Sequence, residues 1–491
     1  MQKSLDFLTW LSAAACSAAL LGAAATPPPA APETVILTLE SQRTLGSGQL
    51  AAFLNGTDQP LAVRAALAIG RTKQAAGAAL LAAHLADSRT PLRAMSVYGL
   101  GLLATGLDSA QLVKALRDPA GAVRIAAVDA LDRYEAAGRL GPGEAAALTA
   151  ISREVASDPD AAVRARAAAA LVEFRAAGAA PAAQAAMKAV RSDADESVRW
   201  HAMWAIFRGL TPAVPVAFVQ SMLHDPSELV RVEAVRAMSR YKDAALIASV
   251  QPLLDDPSWR VQEQASETVR VLSGKPMSDH WTAIPASVHL PAIGPDAFAN
   301  VQALPRPAAS KPRAPAPSDA APAPIPMPVS ASDMISPVAG PHPWVRVVTT
   351  KGNVYVKLYP EWAPLTVANF INLANGGYYD GNRWFRIVPD FVVQTGDPND
   401  NGEGDAGFSV GAEENPLEQT SYVISMGMNY DDKTNLPLRD SAGTQYYVTL
   451  SPQLHLDRDF TVFGHVVSGA DVLAHLVESD RVVRVEALPP Q

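Results

Sequence analysis

The chain has little cysteine, histidine or positive charge, and each shortage excludes a class of protein. Cys16 is the only cysteine among 491 residues, so no disulfide can form within the chain and folding must depend on packing. The nine histidines are scattered, so no cluster has the spacing of metal ligands. The net charge of −9 at pH 7 argues against nucleic acid as a partner, because neutralising phosphates requires a basic face.

Long hydrophobic runs are also lacking, with one exception at the start of the chain. The mean hydropathy of +0.06 is high, but alanine causes it rather than a bundle of membrane helices. An apolar segment from Phe7 to Gly22 follows Lys3 and ends in Ala23-Ala24-Ala25. This arrangement is typical of a signal peptide with a small-residue cleavage site. We therefore expect residues 1–25 to direct export, followed by a short linker over 26–44.

Cys16 leaves the processing of this leader open. It is preceded by Ala13-Ala14-Ala15, so cleavage before Cys16 and acylation of its thiol would tether the protein to a membrane by a lipid. The bulky aliphatic residue usual three positions upstream of a lipoprotein cysteine is missing. An uncleaved anchor is the third alternative. In each case the mature domains would lie outside the cytoplasm.

Residues 45–274 repeat a short phrase, in which an aspartate is followed by Val or Leu at the fifth position and Arg at the sixth. A repeat period of 29 to 40 residues is typical of a solenoid. The last copy has Gln262 in place of the arginine. The seven aspartates are Asp58, Asp87, Asp118, Asp158, Asp193, Asp225 and Asp256.

The phrase predicts pairs of stacked helices. Aspartate is a good helix N-cap, and the prolines that follow four of the aspartates, such as Pro119, suit the first helical position. Alanine-rich apolar positions at helical spacing follow. We expect each arginine to pair with the aspartate of a neighbouring repeat. The pattern resembles HEAT repeats, which implies an all-α solenoid whose units are stable only when stacked.

The predicted array has a binding role rather than a catalytic one. Its aspartates and arginines are explained by capping and stacking, and we expect protein partners along its concave face. Trp200, His201 and Trp204 could line this groove or lie in the core, and their helical spacing favours the core. The following segment, 275–343, is rich in proline, alanine and serine, which predicts an extended spacer.

Residues 384–394 read Trp-Phe-Arg-Ile-Val-Pro-Asp-Phe-Val-Val-Gln, a strand-length run that carries a cation, an aromatic ring and an amide. Side chains two apart share a face of a strand, and the Pro389-Asp390 step interrupts this alternation. Arg386 and Gln394 can therefore converge on one surface around Phe391. An arginine beside an apolar cup suits a substrate that is apolar but needs one hydrogen bond.

Further motifs place this run in a family context. In order and spacing they resemble the cyclophilin-type peptidyl-prolyl isomerases, particularly bacterial members, over about the last 145 residues. The resemblance implies a closed antiparallel β-barrel with capping helices over 344–487, including a helix at 366–375. It also favours a bacterial periplasm as the place of export. The motifs are at 345–364, 366–370, 377–381, 384–394, 396–397, 425–426, 442–448, 456–457 and 462–464.

The resemblance implies catalysis by Arg386. Rotation about an X–Pro bond has a barrier of about 20 kcal/mol, because amide resonance must be broken. A donor to the proline nitrogen and a dry pocket lower this barrier by stabilising the twisted state. No nucleophile, metal or cofactor is needed. The alternative for Arg386 is an ion-paired arginine of the sheet.

The resemblance also implies a binding set for proline-containing polypeptides. Phe391, Val392, Tyr447 and Leu456 match the proline pocket, although any of them could belong to the ordinary core. Gln394 and Gln445 match polar residues of the groove. The remaining matches are Gly427 and Met428, through backbone groups, and His455.

The chain departs from the family pattern around the pocket. Phe385 stands where histidine is common, Tyr447 replaces a phenylalanine and Val392 a methionine. His455 and Phe460 resemble substitutions common in bacterial relatives. The Tyr447 hydroxyl lies where a proline ring is expected to dock, so altered activity is an open alternative. Residues 430–439 look like a loop insertion beside the groove.

The segment Gly402 to Gly407 matches the pattern GxGxxG, which in other contexts binds dinucleotides. Here no strand–turn–helix context surrounds it, so a dinucleotide site is not expected. We instead expect an exported prolyl isomerase that assists the folding of exported proteins and holds clients with its repeats. The alternative is a scaffold or chaperone that binds proline segments without turning them over.

Overall fold

The computed structural model describes residues 31–105, 109–276, 342–404, 406–431, 433–434 and 437–488. These residues form two compact units, one helical and one built mainly of strands. Most of the predicted spacer, 277–341, and the whole predicted leader lie outside the described residues. No helix within the described residues is long and apolar enough to cross a membrane.

The helical unit consists of paired helices joined by short turns. Its interior is lined by alanine, valine and leucine, as the repeat pattern predicts. A π-helical turn at Ile206–Leu210 continues α11. The helices are α1 Pro32–Ser41, α2 Gln49–Leu54, α3 Gln59–Arg71, α4 Gly77–Ala82, α5 Thr90–Leu103, α6 Ser109–Ala115, α7 Gly121–Ala136, α8 Glu144–Ser157, α9 Ala161–Ala170, α10 Arg175–Ser192, α11 Glu196–Ala205, α12 Val216–Met222, α13 Glu228–Arg240, α14 Ile247–Val250 and α15 Trp259–Leu272.

The first helix corrects the prediction of a linker over 26–44. Helix α1 lies inside that segment and buries Ile36, Leu37 and Leu39. It also contributes the buried Glu40, which accepts hydrogen bonds from Arg64 and Arg71 of α3. The helix lacks the Asp…Arg phrase and therefore gave no repeat signal, but its apolar face packs like those of the helices that follow.

The predicted capping role of the repeat aspartates is wrong for all but the first. Asp58 caps α3 by accepting a hydrogen bond from the Leu61 N–H at 3.0 Å. In later copies the aspartate stands two residues before the cap, as Asp118 does by accepting from the Ala120 N–H at 2.9 Å. Pro119 follows Asp118 and keeps it out of the helical region. The result is an Asx turn that leads into the helix.

The predicted ladder of ion pairs is confirmed. From the second copy to the sixth, the arginine of each phrase donates to the aspartate of the next copy and also to the backbone carbonyl of its own aspartate, so one guanidinium joins two successive loops. Arg124, for example, donates to Asp158 at 2.7 and 2.8 Å and to the Asp118 carbonyl at 2.9 Å. The five rungs are Arg93–Asp118, Arg124–Asp158, Arg164–Asp193, Arg199–Asp225 and Arg231–Asp256.

The ladder has different chemistry at its two ends. At the first copy, Arg64 pairs with Glu40 instead of with a repeat aspartate, while Asp87 is held by Arg89. At the last copy, the Gln262 side chain donates to the Asp256 carbonyl at 2.6 Å. Gln262 thus makes the same hydrogen bond to the carbonyl of its own aspartate as the arginines do, but it carries no charge to pair with the aspartate of a following copy.

The ladder predicts that the helical unit loses stability in acid. Burial is the largest single effect and would raise the pKa of Asp118, Asp158, Asp193 and Asp256. Hydrogen bonds from the paired arginines and from backbone N–H groups, together with the arginine charges, outweigh burial and lower the pKa below the usual 3.8. A carboxyl with a depressed folded pKa stabilises above the unfolded value, and this stabilisation is lost as pH falls through the folded value. We expect the urea midpoint, followed by far-UV circular dichroism, to fall steadily below about pH 4. A urea midpoint that does not change with pH below about pH 4 would contradict a stabilising role of the aspartate–arginine pairs.

Trp200, His201 and Trp204 lie in the core of the helical unit. They are exposed by 5, 3 and 8 % respectively, and the rings of Trp200 and His201 meet edge to face with centroids 4.4 Å apart. The prediction that helical spacing places them in the core is confirmed.

The second unit is built on one eight-stranded antiparallel sheet. The spatial order of its strands is β3-β4-β6-β5-β7-β2-β1-β8. The sheet curls so that Arg383, before β3, pairs with Arg481, before β8. The prediction of an antiparallel barrel is confirmed in this form, with the two edges joined by a bridge rather than a full ladder. The strands are β1 Trp344–Thr349, β2 Gly352–Leu358, β3 Arg386–Val388, β4 Val392–Thr395, β5 Val423–Met426, β6 Tyr446–Thr449, β7 Val462–Ser468 and β8 Val482–Leu488.

Helix α16, Pro364–Asn375, covers the core of the sheet and matches the predicted helix at 366–375. The Glu413 carboxylate caps it by accepting from the Leu365 and Thr366 N–H groups at 3.0 and 2.8 Å. Phe370 of α16 packs within the aromatic core, with its ring centroid 5.2 Å from that of Tyr446. The short helix α17, Ala470–Ala474, follows β7.

Candidate functional site

Arg386 and Gln394 face each other across a tight hairpin. We predicted convergence along one interrupted strand, whereas the structure has two strands, β3 and β4, with Arg386 directly opposite Gln394. Asp390 makes the turn with a positive φ of 56°, a conformation that aspartate tolerates better than most residues. The convergence is therefore confirmed, and its cause is cross-strand pairing.

A small apolar cluster lies beside this hairpin, separate from the main core. Val392, Tyr447 and Leu456 are buried together, and Phe391 and Phe460 pack against them partly exposed. Val392 belongs to β4 and Tyr447 to β6, while Leu456 is in a 3-10 turn at Leu454–Leu456. The four residues predicted for the proline pocket thus form one cluster, of which Phe391 is the partly exposed member.

The Phe391 ring connects the cation to this pocket. The Arg386 guanidinium carbon lies 5.2 Å from the centroid of the ring, within the range of a cation–π contact. The His455 ring stacks on Phe391 with centroids 5.6 Å apart and planes at 15°. Arg386, Phe391 and His455 therefore lie side by side, and the surface that they share with the apolar cluster is called the groove below.

A chain of side-chain hydrogen bonds orients Arg386. Its Nη1 donates to Gln394 Oε1 at 3.4 Å, and Gln394 Nε2 donates to Gln445 Oε1 at 3.0 Å. Gln445 Nε2 in turn donates to the carbonyls of Gly402 and Gly404 at 2.8 and 3.1 Å. Both predicted glutamines are thus fixed with defined amide orientations next to the guanidinium.

The glycine-rich loop has a positioning role in this chain of bonds. The Asp397 carboxylate accepts from the Asn399 and Asn401 N–H groups at 2.7 and 3.0 Å, and also from the Gly402 N–H. This arrangement aims the Gly402 and Gly404 carbonyls at Gln445. The loop is therefore an anchor for the groove.

The Arg386 side chain is exposed, and within the described residues no carboxylate lies in ion-pair distance of it. Its only hydrogen-bond acceptor there is Gln394. Desolvation lowers the pKa of the Arg386 guanidinium below its usual value, while Tyr430 and Tyr447 act in the opposite direction. Arginine stays charged at neutral pH, so free N–H groups of a cation face the apolar cluster.

Gly427 lies beside the two glutamines of the groove, whereas the Met428 side chain lies against the main core. Gly427 is buried and its N–H donates to the Gln445 carbonyl at 2.8 Å. A Cβ there would lie 3.2 Å from Gln394 Nε2 and 3.2 Å from Gln445 Cβ, so glycine leaves room for both amides. The Met428 side chain packs against the main core of the sheet rather than the pocket cluster.

The Tyr447 hydroxyl is buried. The hydroxyl oxygen is buried without a hydrogen bond of normal geometry. It lies near Ser425 and Gln419, which are themselves buried, and burial raises the pKa of Tyr447 well above 10. The ring itself belongs to the pocket cluster.

We expect Tyr447→Phe to leave stability unchanged or to raise it by up to about 1 kcal/mol, because a buried hydroxyl without a good partner is costly. The free energy of unfolding from urea denaturation measures this effect. Tyr446→Phe is a matched control at the adjacent position, since its hydroxyl is also buried without a partner but faces the main core. A loss above about 1 kcal/mol for Tyr447→Phe would show that the hydroxyl makes a real hydrogen bond.

Sequence reasoning missed two aromatic residues at the groove. Phe460 was noted only as a departure from the family pattern, yet its ring meets that of Tyr447 edge to face with centroids 5.8 Å apart. Tyr430, in the predicted insertion, is 47 % exposed, and its ring centroid is 6.4 Å from that of Phe460. An aromatic at the start of a loop next to a pocket strand is a usable signal for such residues.

The described part of the insertion is held against the sheet unit. Tyr430 pairs with Pro437 in an isolated bridge, and the Leu438 N–H donates to the Asn429 carbonyl at 2.7 Å. Arg439 forms an ion pair with Glu414. These contacts keep Tyr430 at the rim of the apolar cluster.

Comparison with known proteins agrees with this geometry. Residues 344–488 match the model of the cyclophilin type peptidyl-prolyl cis-trans isomerase family. Peptidyl-prolyl cis-trans isomerase B of Bacillus subtilis is 39 % identical over 132 residues, which are 26 % of this chain and 88 % of that protein. Peptidyl-prolyl cis-trans isomerase ppi1 of Schizosaccharomyces pombe is 38 % identical over 134 residues, which are 26 % of this chain and 81 % of its own.

A solved cyclophilin type isomerase of Cryptosporidium parvum also aligns, with 22 % identity and a TM-score of 0.27, over 30 % of this chain and 97 % of its own. In the helical unit, residues 183–270 match the model of HEAT repeats. The predicted arrangement of HEAT repeats followed by an isomerase domain is confirmed. The chain belongs to the cyclophilin-type peptidyl-prolyl cis-trans isomerases.

Proposed function

We propose that Arg386 stabilises the twisted prolyl amide and that the protein uses this activity to assist the folding of exported proteins. The HEAT repeats hold client polypeptides during the reaction. The observation that carries the proposal is the open Arg386 guanidinium beside the cluster of Val392, Tyr447 and Leu456. A client proline would enter this cluster, and its nitrogen would face the cation.

The chemistry requires only placement and charge. As the X–Pro bond twists, the proline nitrogen regains its lone pair and becomes a hydrogen-bond acceptor. An N–H group of Arg386 can donate to that nitrogen, and this interaction is weaker in the planar ground state, so it lowers the barrier. Gln394 and Gln445 are placed to hold the client backbone while the apolar cluster excludes water.

The direct test of this proposal is isomerisation of a short peptide that contains one X–Pro bond. The uncatalysed exchange takes tens to hundreds of seconds, and NMR exchange spectroscopy measures the rate with added full-length chain. We expect the exchange rate to rise in proportion to the protein concentration. An unchanged rate with detectable peptide binding would instead favour a non-catalytic scaffold that binds proline segments.

The role of the repeats needs a comparison of substrates. We expect the full chain to have a higher kcat/KM for the proline-limited refolding of a denatured protein than for the short peptide, because the repeats add binding energy for a longer client. Both rates are measured with one protein preparation. Equal values for the two substrates would contradict client holding by the repeats.

Export is the part of the proposal that rests on the leader alone. Residues 1–25 have the charge, apolar segment and small-residue site of a signal peptide. Mass spectrometry of the mature N-terminus from a bacterial host distinguishes cleavage after Ala25 from lipidation at Cys16. A full-length cytoplasmic product would contradict export to the periplasm.

A further inference from the structure

The helical unit carries a cationic surface around the π-helical turn Ile206–Leu210. A π turn interrupts the regular hydrogen bonding of a helix, and such turns recur at functional sites. This one presents Arg208 exposed and Phe207 half buried, next to the end of α13. The chain as a whole is acidic, so the local positive charge is not a property of the entire surface.

Two arginines of this surface lie over aromatic rings. The Arg208 guanidinium carbon is 6.0 Å from the centroid of Trp204. The exposed Arg240, the last residue of α13, lies 4.8 Å from the centroid of Phe207. A ring beneath a guanidinium holds it in a defined plane and leaves its N–H edge open to a ligand.

The neighbouring arginines differ because they have partners. Arg236 donates to Glu233 at 2.9 Å, and Arg175 lies 3.6 Å from the Glu173 carboxylate. In the described part of the helical unit, no carboxylate lies within ion-pair distance of Arg208 or Arg240. These two cations are therefore available to a ligand.

The four guanidinium groups are close enough to affect one another. Arg175 packs beside the π turn, where a Cβ on Gly209 would lie 2.8 Å from Arg175 Cδ. Burial lowers the pKa of Arg208, and the charge of Arg240 lowers it further; Glu233 acts in the opposite direction, and Arg236 and Arg175 add smaller lowering effects. A bound carboxylate would relieve this repulsion.

We propose that Arg208 and Arg240, held over the rings of Trp204 and Phe207, form a docking site for an acidic segment of a partner polypeptide. One carboxylate would bind each guanidinium, in the two-pronged geometry that arginine favours. Two free cations are too few for nucleic acid, whose affinity depends on many phosphate contacts. The inference deepens the proposed holding of clients by the repeats and rests on it, because it names the surface and the chemistry of the segment held.

The test is binding of a fluorescent glutamate-rich peptide to the full chain, measured by anisotropy. We expect the double variant Arg208→Gln/Arg240→Gln to bind at least about tenfold more weakly, because two charge-assisted contacts are lost. Arg191→Gln is the matched control, since Arg191 is also exposed and lies over a ring, that of Phe218 at 5.3 Å, outside the cluster. The control is expected to bind like the wild type, and both proteins are checked for intact helix content.

A second variant keeps the test decisive if the first is poorly folded. Arg208→Glu/Arg240→Glu is expected to lose the glutamate-rich peptide and to gain a lysine-rich peptide of the same length. Equal binding by wild type and Arg208→Gln/Arg240→Gln, or an equal loss in Arg191→Gln, would overturn the site. Tighter binding of a single-stranded oligonucleotide or of vesicles with anionic lipid than of the peptide would also overturn it.

Isomerisation of a short proline peptide by the same preparations separates this inference from the proposed function. An inactive protein that still binds the acidic peptide through Arg208 and Arg240 would refute only the catalytic proposal. An active protein that shows no dependence on these two arginines would refute only the docking site.

Discussion

Arg386→Ala is expected to lower kcat/KM for an X–Pro peptide by about a hundred- to a thousandfold. This is the usual effect of removing one hydrogen-bond donor that acts on the transition state. The fold should survive, because Arg386 is exposed at the end of the edge strand β3 and its single hydrogen bond to Gln394 is long, at 3.4 Å. Exchange spectroscopy on the wild type and the variant measures the ratio directly.

Two further variants distinguish catalysis from simple binding. Arg386→Lys keeps the charge but loses the planar fork, so an intermediate activity is expected. Arg484→Ala removes an exposed arginine of β8 that is paired with Glu486, and activity should not change. If Arg386→Ala raised KM while kcat stayed constant, the guanidinium would bind the ground state and the transition state equally and would not accelerate the chemical step.

Arg124→Ala is expected to destabilise the helical unit by about 3 kcal/mol, as the breaking of a buried ion pair does. The pair is largely excluded from water, with the side chains of Arg124 and Asp158 exposed by 10 and 1 %. Alanine would leave the Asp158 carboxylate buried without its cation. It would also release the carbonyls of Asp118 and Pro119, which accept from Arg124 at 2.9 and 3.1 Å.

Urea denaturation followed by far-UV circular dichroism measures this loss. The matched control is Arg191→Ala, an exposed arginine outside the ladder, with an expected change within about 0.5 kcal/mol. Removing both partners in Arg124→Ala/Asp158→Ala should cost less than the sum of the two single changes, since no buried charge is left. Equal losses for Arg124→Ala and Arg191→Ala would show that the ladder adds no stability.

The period of the helical unit was predictable, whereas the local role of its aspartates was not. The spacing of aspartate and arginine reports a contact between successive loops, and that contact repeats regardless of where each helix begins. The start of a helix depends on backbone angles, and an Asp-Pro step favours a turn just before the cap. Helix α1 was missed because its contribution, Glu40 paired with Arg64, replaces the phrase rather than repeating it.

In the groove, too, some features could be predicted from the sequence and others could not. Arg386, Phe391 and Gln394 were identified because they stand close together in the sequence and match a family motif. The Tyr447 hydroxyl is buried near Ser425 and Gln419, which come from other segments, so the sequence carried no signal for its burial. The arginine surface at Arg208 and Arg240 arises from residues on two helices and has no motif.

Gln262 has a consequence for altering the length of the array. Because the Gln262 side chain is neutral, the final copy has no guanidinium that would require an aspartate from a further copy. An extra copy inserted before the last one would accept from the preceding arginine through its aspartate and donate to Asp256 through its own arginine. An extra copy added after the last one would place its aspartate opposite the neutral Gln262 amide. Inserting a copy inside the array therefore preserves every ion pair. Adding a copy after the last one would also require Gln262→Arg.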